Sequence, residues 1–109
     1  MGEAKRIMII DDHPLICKGL ALMITKKAPD IQVCGDADDI NPALEMTASK
    51  QPDLMVIDIE LKSSNGLDLV KALRSRYPDI PTLVFSMHDE SIYAERALRA
   101  GARGYVMKD

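Results

Sequence analysis

The fold is decided by the stretch LMVID at residues 54–58, in which an apolar run stops abruptly at a carboxylate. The same shape recurs as IMIIDD at residues 7–12, TLVFS at 82–86 and GYVMK at 104–108. A short, continuous apolar run is typical of a strand that is buried on both faces of a parallel sheet. Each run ends in a residue able to take part in phosphate or metal chemistry. This repetition predicts a sheet whose strand ends form a site.

Helical patterns separate these runs, and a further short apolar segment completes the set of strands. Alternation of strands and helices predicts an α/β domain with a parallel sheet. The predicted strands cover residues 5–10, 31–35, 54–58, 82–86 and 102–107. The second and fourth helices are predicted at residues 38–49 and 90–100. We expect the strand order 2-1-3-4-5.

Turn and capping residues mark the helix ends. Pro14 suits the first turn of the first helix, where its missing N–H is not needed. The candidate N-caps of the next three helices are Asp38 or Asn41, then Asn65, then Asp89. Gly101 supplies the stop of the fourth helix.

Apolar residues at helical spacing predict the buried helix faces. In the first helix this face contains Ile16, Leu20, Met23 and Ile24. In the third helix the predicted inward residues are Leu69, Val70 and Leu73.

Composition bounds the function classes. The 109 residues suit one domain, and a hydrophobic content of 47% argues against disorder. A net charge of -3 argues against direct binding of nucleic acid. No apolar stretch reaches membrane-spanning length and no signal-peptide core is visible, so we expect a cytoplasmic protein without membrane contact. Cys17 and Cys34 are predicted to be reduced core cysteines.

Three carboxylates should converge at the sheet's carboxyl edge. Ligands of open α/β sheets bind where the strand order reverses, which here lies between strands one and three. Asp11 and Asp12 end strand one, and Asp58 ends strand three. Carboxylates this close repel one another unless a cation intervenes. Mg²⁺ commonly binds one or two carboxylates together with waters and a phosphate. The pattern therefore predicts a Mg²⁺ site.

Two further strand ends add groups suited to phosphate. Ser86 offers a hydroxyl, and Lys108 offers a compact positive charge. Together with the acids they describe a phosphoryl-accepting pocket in which Asp58 is a nucleophile that becomes an acyl phosphate. A single aspartate after a strand is ordinary turn chemistry, so the hypothesis depends on the joint occurrence.

With these residues, the chain resembles the receiver domain of bacterial two-component response regulators, especially those with a LuxR/NarL-type helix-turn-helix output. The resembling stretches are residues 9–15, 53–58, 65–69 and 100–109. The resemblance implies a flavodoxin-like (CheY-like) three-layer sandwich. It also implies a signalling domain, not an enzyme.

The resemblance assigns roles to the predicted site residues. It implies that Asp58 accepts a phosphoryl group from the phosphohistidine of a sensor histidine kinase. Asp12, Asp58 and the backbone carbonyl of Glu60 would bind Mg²⁺ directly, while Asp11 would act through water. Ser86 and Lys108 would contact the phosphoryl oxygens.

A switch is also implied. Ser86 moving toward the phosphoryl group would vacate space for Tyr105, whose rotamer accompanies activation in the family. The outer surface of the fourth helix and fifth strand would then read out the change and control an output, which we expect to be transcription.

Several features depart from the family pattern. Lys62 stands where proline is usual, Met87 stands where a small residue is usual, and His88 occupies a variable position of unknown effect on dephosphorylation. The family's fifth helix is also missing, so we expect residues 1–109 to be a receiver domain truncated before that helix and any DNA-binding output domain. Uncovered apolar sheet surface should then favour a homodimer, a swapped oligomer or repacking.

Two other interpretations stay open. A pseudo-receiver would use the same fold as a dimerisation or interaction module without phosphorylation. A flavodoxin-like cofactor binder is disfavoured, because no glycine-rich phosphate loop follows strand one and three acids would repel a cofactor phosphate.

Overall fold

The computed structural model describes residues 5–86 and 91–107, and within these ranges five strands alternate with four helices. The strands form one parallel sheet in the order β2-β1-β3-β4-β5, which confirms the predicted topology. The elements are β1 (Lys5–Ile10), α1 (Pro14–Lys27), β2 (Ile31–Ala37), α2 (Ile40–Lys50), β3 (Leu54–Asp58), α3 (Gly66–Arg76), β4 (Thr82–Ser86), α4 (Ser91–Ala100) and β5 (Gly104–Met107).

The strand bounds match the prediction for β1, β3 and β4, and differ for the two edge strands. β2 continues beyond residue 35 to Ala37, because Ile10 of β1 pairs with Ala37. The pairing of β1 with β2 shifts by one residue after Ile7, so β2 contains a bulge at this point. β5 begins at Gly104, later than the predicted residue 102.

The sheet separates two apolar clusters. The larger lies beneath α2, α3 and α4, and it includes the predicted inward residues of α3, Leu69, Val70 and Leu73, all fully buried. The smaller lies beneath α1, where Ile9 and Phe85 are buried. Burial on both faces explains why the central strands read as continuous apolar runs.

The predicted inward face of α1 is partly wrong. Ile16 and Leu20 pack against the smaller cluster, but Met23 is 54% exposed. The buried residue of this helix is Cys17. The stripe is centred on Cys17 and Ile24, seven residues apart, and Met23 lies about 100° away from Ile24 around the helix.

The helix ends follow local side-chain chemistry. Pro14 stands in the first turn of α1, and Asn65 caps α3 by accepting a 2.7 Å hydrogen bond from Leu67 N–H, both as predicted. Gly101 follows α4 with φ of 118°, which confirms its predicted role as the stop. The cap predicted at Asp89 lies outside the described residues.

The N-cap predicted for α2 is wrong by one residue. The helix begins at Ile40, and Asp39, rather than Asp38 or Asn41, accepts the 3.0 Å hydrogen bond from Ile40 N–H. Asp38 is engaged elsewhere, because its carbonyl accepts from Lys62 N–H in the loop after β3.

The α1 side of the sheet is covered at its centre and open at its β5 edge. Phe85 is buried, whereas its partner in β5, Val106, is 49% exposed. Apolar side chains also project outward from α1 itself, where Leu15 is 84% and Leu22 is 72% exposed.

Two class predictions can be compared with the described residues. No helix in these ranges combines the length and the apolar character that crossing a membrane would need. Cys17 and Cys34 are both free thiols, as predicted, with Cys17 buried and Cys34 half-buried.

Candidate functional site

The carboxyl ends of β1 and β3 bring Asp11, Asp12 and Asp58 together. These strands are adjacent, and the last residue of β1, Ile10, pairs with Ile57. Asp11 and Asp58 are each only 3% exposed, while the side chain of Asp12 is 29% exposed. One oxygen from each carboxylate and one nitrogen of His13 all lie within 4.8 Å of one another. We refer to these four residues as the acid pocket.

His13 was not singled out as a site residue by the sequence. Its Nδ1 lies 2.7 Å from Asp11 Oδ1, 2.9 Å from Asp12 Oδ1 and 3.8 Å from Asp58 Oδ2. The available signal was position alone, since His13 directly follows two of the acids and precedes the proline that begins α1. A ring on the last non-helical residue can turn back to the strand end from which the chain came.

Backbone hydrogen bonds fix the strand ends beneath the acid pocket. Asp11 N–H donates to the Ala37 carbonyl of β2 at 2.9 Å, and the Cys17 thiol donates to the Asp11 carbonyl at 3.6 Å. Asp11 is therefore held from both β2 and α1.

The end of β3 is positioned by a close backbone approach. A Cβ placed on Gly66 would lie 1.9 Å from the Asp58 carbonyl oxygen. Gly66 N–H donates to the Ile59 carbonyl at 2.6 Å, which draws the start of α3 against the strand end. The glycine is required here because any side chain would displace the backbone of Asp58.

The predicted switch residues lie on the same side of adjacent strands. Ser86 ends β4, is 1% exposed, and directly follows Phe85, the register partner of Asp58. Tyr105 pairs with Val84, two residues before Ser86, and packs against the larger apolar cluster. Because side chains alternate between the faces of a sheet, Ser86 and Tyr105 share a face.

Some predicted positions lie outside the described residues or away from the acid pocket. Lys108, Met87 and His88 lie outside the described residues. Glu60 is exposed and forms an isolated bridge with Asn65, so the proposed metal contact of its carbonyl stays a prediction. Lys62 is exposed.

The loop after β3 is tied to α2 by Asp39. The Ser63 hydroxyl donates to Asp39 Oδ2 at 2.5 Å, and the Ser64 hydroxyl donates to Asp39 Oδ1. The hydrogen bond from Ser63 contributes most to holding the pKa of Asp39 below the usual range of an aspartate. The hydrogen bonds from Ser64 and from Ile40 N–H lower this pKa further. This loop, in which Lys62 stands where the resemblance leads us to expect proline, is therefore held against α2 by hydrogen bonds that the sequence did not suggest.

An open cleft leads to the acid pocket from the side of β2. Its volume is about 370 Å³, and Asp11, Asp12, Lys18 and Asp36 are among the residues that line it. Asp11 and Asp12 border this cleft, so an ion can reach their carboxylates from it.

The donor set fits a hard divalent cation. Asp12 Oδ1 is buried and accepts no hydrogen bond from the described residues, because its 2.9 Å contact with His13 Nδ1 lacks hydrogen-bond geometry. Three carboxylates around one point supply the oxygen ligands that Mg²⁺ prefers. A bound cation would satisfy the unpaired oxygen and offset the repulsion between the acids.

Comparison with known proteins assigns the family. The profile described as "Response regulator receiver domain" matches residues 7–109. The chain belongs to this family. Acid pockets that bind Mg²⁺ are a general feature of receiver domains, and this chain has such a cluster of aspartates.

The curated relatives that match this receiver domain are response regulators of the NarL type. It is 36% identical over 104 residues to the transcriptional regulatory protein DegU of Brevibacillus brevis, covering 95% of this chain and 44% of that protein. It is 37% identical over 109 residues to the nitrate/nitrite response regulator protein NarL of Escherichia coli K12, covering 98% and 49%. The chain thus spans about half the length of the curated relatives that it matches.

Solved structures show the same receiver fold. A LuxR-family two-component response regulator from Aurantimonas sp. aligns with a TM-score of 0.91 and 33% identity, covering 97% of this chain and 75% of that one. The receiver domain of the putative response regulator NarL from Mycobacterium tuberculosis aligns with a TM-score of 0.89 and 32% identity, covering 99% and 86%.

Proposed function

We propose that this receiver domain accepts a phosphoryl group on Asp58 from the phosphohistidine of a sensor histidine kinase. One observation carries the proposal: Asp58 is buried at a strand end in direct proximity to two further carboxylates from the neighbouring strand. A structural core has no use for three converging acids, because their repulsion opposes folding. A site that binds a cation and a phosphoryl group requires such acids.

The proposed transfer is a displacement at phosphorus. The bond between phosphorus and the donor imidazole nitrogen breaks, and a bond forms between phosphorus and a carboxylate oxygen of Asp58, which becomes an acyl phosphate. Such a reaction asks chiefly for positioning and charge neutralisation. The strand ends hold Asp58 in place, and Ser86 and Lys108 are proposed to contact the phosphoryl oxygens.

Mg²⁺ is the proposed cofactor. Asp12, Asp58 and the Glu60 carbonyl are proposed to hold it, with Asp11 acting through water. When bound, the cation neutralises charge on the carboxylates and the phosphoryl oxygens.

Phosphorylation with acetyl phosphate tests this function. The wild type incubated with acetyl phosphate and Mg²⁺ should gain the mass of one phosphoryl group, and Asp58→Asn should gain none. Asp79→Asn is the matched control, because Asp79 is an exposed acid in the turn before β4, outside both the acid pocket and the cleft that leads to it. A wild type that gains no mass, or a gain that survives in Asp58→Asn, would contradict the proposal.

We propose that the output is a change on the face formed by α4 and β5. Ser86 and Tyr105 lie on the same side of β4 and β5, so a shift of one toward Asp58 can be followed by the other. Amide exchange measured with and without beryllofluoride plus Mg²⁺ should change across residues 87–107. Unchanged exchange there would argue against this switch. The name of the relative DegU, a transcriptional regulatory protein, supports transcription as the controlled process. We propose that the domain acts in the cytoplasm and through a separate DNA-binding output domain.

A pseudo-receiver that acts by self-association is the second candidate. The exposed apolar residues Leu15 and Leu22 on α1 and Val106 on β5 favour it. Light scattering at increasing concentration should show a homodimer or larger oligomer in the wild type and a monomer in Leu22→Lys. Dimerisation without any gain of phosphate would favour this candidate over the first.

A further inference from the structure

His13 is part of the acid pocket, although it is not an acid. Its ring nitrogen Nδ1 lies 2.7 Å and 2.9 Å from oxygens of Asp11 and Asp12, and 3.8 Å from one of Asp58. We propose that His13 is a metal ligand through this nitrogen, and that it makes the pocket favour divalent transition metals such as Ni²⁺ and Co²⁺ over Mg²⁺. The inference rests on the proposed cation site and adds to it a nitrogen donor and a metal preference.

The local backbone directs the ring into the acid pocket. His13 is the N-cap residue of α1, yet its side chain makes no capping hydrogen bond to the helix. Instead its backbone N–H donates to Asp11 Oδ1 at 2.9 Å, and Pro14 follows as the first helical residue. The His13 side chain is half exposed, so its ring lies on the solvent side of the acid pocket.

The spacing of the donors suits a shared metal ion. Nitrogen and oxygen ligands at about 2.1 Å from a common ion lie roughly 3.0 to 3.4 Å from one another. The separations from His13 Nδ1 to the carboxylate oxygens, 2.7 to 3.8 Å, bracket that range. Asp12 Oδ1 in particular is buried and accepts no hydrogen bond from the described residues, although Nδ1 is 2.9 Å away. His13 Nδ1 itself shares a 2.7 Å hydrogen bond with Asp11 Oδ1, so an ion bound here would satisfy Asp12 Oδ1 and would replace that hydrogen bond.

The nitrogen donor changes which metal the pocket favours. Mg²⁺ takes oxygen ligands and holds its waters firmly, so an imidazole adds little to its binding. Imidazole suits Ni²⁺, Cu²⁺ and Zn²⁺, and metal affinities for sites with nitrogen and oxygen ligands rise from Mn²⁺ through Ni²⁺ to Cu²⁺ and then fall at Zn²⁺. We therefore expect loss of His13 to weaken Ni²⁺ binding far more than Mg²⁺ binding.

Calorimetric titration of untagged protein with Mg²⁺ and with Ni²⁺ tests the inference. His13→Asn, which retains a good N-cap residue, should lose about tenfold or more in Ni²⁺ affinity while its Mg²⁺ affinity changes less than about twofold. The control is Asp79→Asn, because Asp79 is an exposed residue in the turn before β4, outside the acid pocket, and its loss should leave both affinities unchanged. Equal losses for the two metals, no loss for Ni²⁺, or an equal loss in Asp79→Asn would overturn the proposal.

A spectroscopic measurement reports the ligand directly. Electron paramagnetic resonance of the Cu²⁺-loaded wild type should show coupling to one imidazole nitrogen, and this coupling should vanish in His13→Asn. Unchanged coupling in that variant would refute ligation by His13. Acetyl phosphate labelling of His13→Asn with Mg²⁺ separates the two proposals, because intact labelling upholds Asp58 as acceptor whatever the titrations show.

Discussion

At the scale of single residues, Gly66 decides the position of the proposed phosphoacceptor. A methyl group there would meet the Asp58 carbonyl oxygen at 1.9 Å and Ile57 Cγ2 at 3.0 Å. Because the first of these atoms is backbone, the clash cannot be relieved by a rotamer change. We expect Gly66→Ala to lower the free energy of unfolding by about 3 kcal/mol, measured by urea denaturation.

Gly19→Ala is the matched control for this variant. Gly19 lies inside α1, and a Cβ there would have no atom within 4 Å. Alanine is the better helix former, so stability should rise by about 0.5 to 1 kcal/mol. A Gly66→Ala protein as stable as the wild type would show that the close approach is not required.

Asp39 is the residue from which a pH dependence follows. Hydrogen bonds from Ser63, Ser64 and Ile40 lower its pKa in the folded state below the usual range. A lowered folded-state pKa contributes stability at pH values above the unfolded-state pKa, which is about 4. This stability is lost as the pH falls through the folded-state pKa. Asp39→Asn should therefore be less stable than the wild type at neutral pH, and the difference should shrink as pH falls below about 4.

The two serines provide the test of that cause. Urea denaturation from neutral pH to about pH 3 should show a smaller loss of stability on acidification in Ser63→Ala/Ser64→Ala than in the wild type. An acid-side slope identical in all three proteins would rule out Asp39 as its source.

At the scale of elements, the end of α2 carries backbone strain. Gln51 follows the helix with φ of 48° and ψ of 64°, a left-handed conformation that glycine adopts more readily. We expect Gln51→Gly to raise the free energy of unfolding by about 0.5 to 1 kcal/mol.

Ala28 offers the comparison for this prediction. It follows α1 in the same capping position, but its φ is −136°, so glycine relieves no strain there. Ala28→Gly should be neutral or destabilising in the same urea series. A gain from both substitutions, or from neither, would contradict the link to the left-handed conformation.

At the scale of the whole molecule, the acid pocket couples metal binding to folding. Removing one charge by Asp58→Asn should raise the stability of the metal-free domain by about 1 kcal/mol, because the remaining acids repel less. Mg²⁺ at 100 times its dissociation constant should stabilise the wild type by about 2.7 kcal/mol, and the variant by less. Thermal denaturation with chelator and with Mg²⁺ measures both.

The exposed acid Asp79 again provides the control, and Asp79→Asn should follow the wild type in both conditions. A metal-free Asp58→Asn domain that is less stable than the wild type would show that repulsion in the pocket does not oppose folding.

The sequence by itself determined the architecture. Apolar runs that stop at Asp11, Asp58 and Ser86 predicted three strands with the observed bounds. Both faces of these strands are buried, so each strand is a continuous apolar run that can be recognised without knowing which strands lie beside it. Asn65 and Gly101 marked helix ends through local chemistry that depends on neighbours in the chain. The convergence of the acids followed from the strand order alone.

Only the tertiary structure decided the contacts between segments that are distant in the chain. Asp39 rather than Asp38 caps α2 because its carboxylate also receives hydrogen bonds from serines about 25 residues further along. Met23 faces outward because the face of α1 that packs on the sheet is centred on Cys17 and Ile24, and Met23 lies about 100° away from Ile24 around the helix. His13 joins the acids because the start of α1 turns its ring back toward β1 and β3. Each of these outcomes depends on distances between elements, and sequence spacing does not contain them.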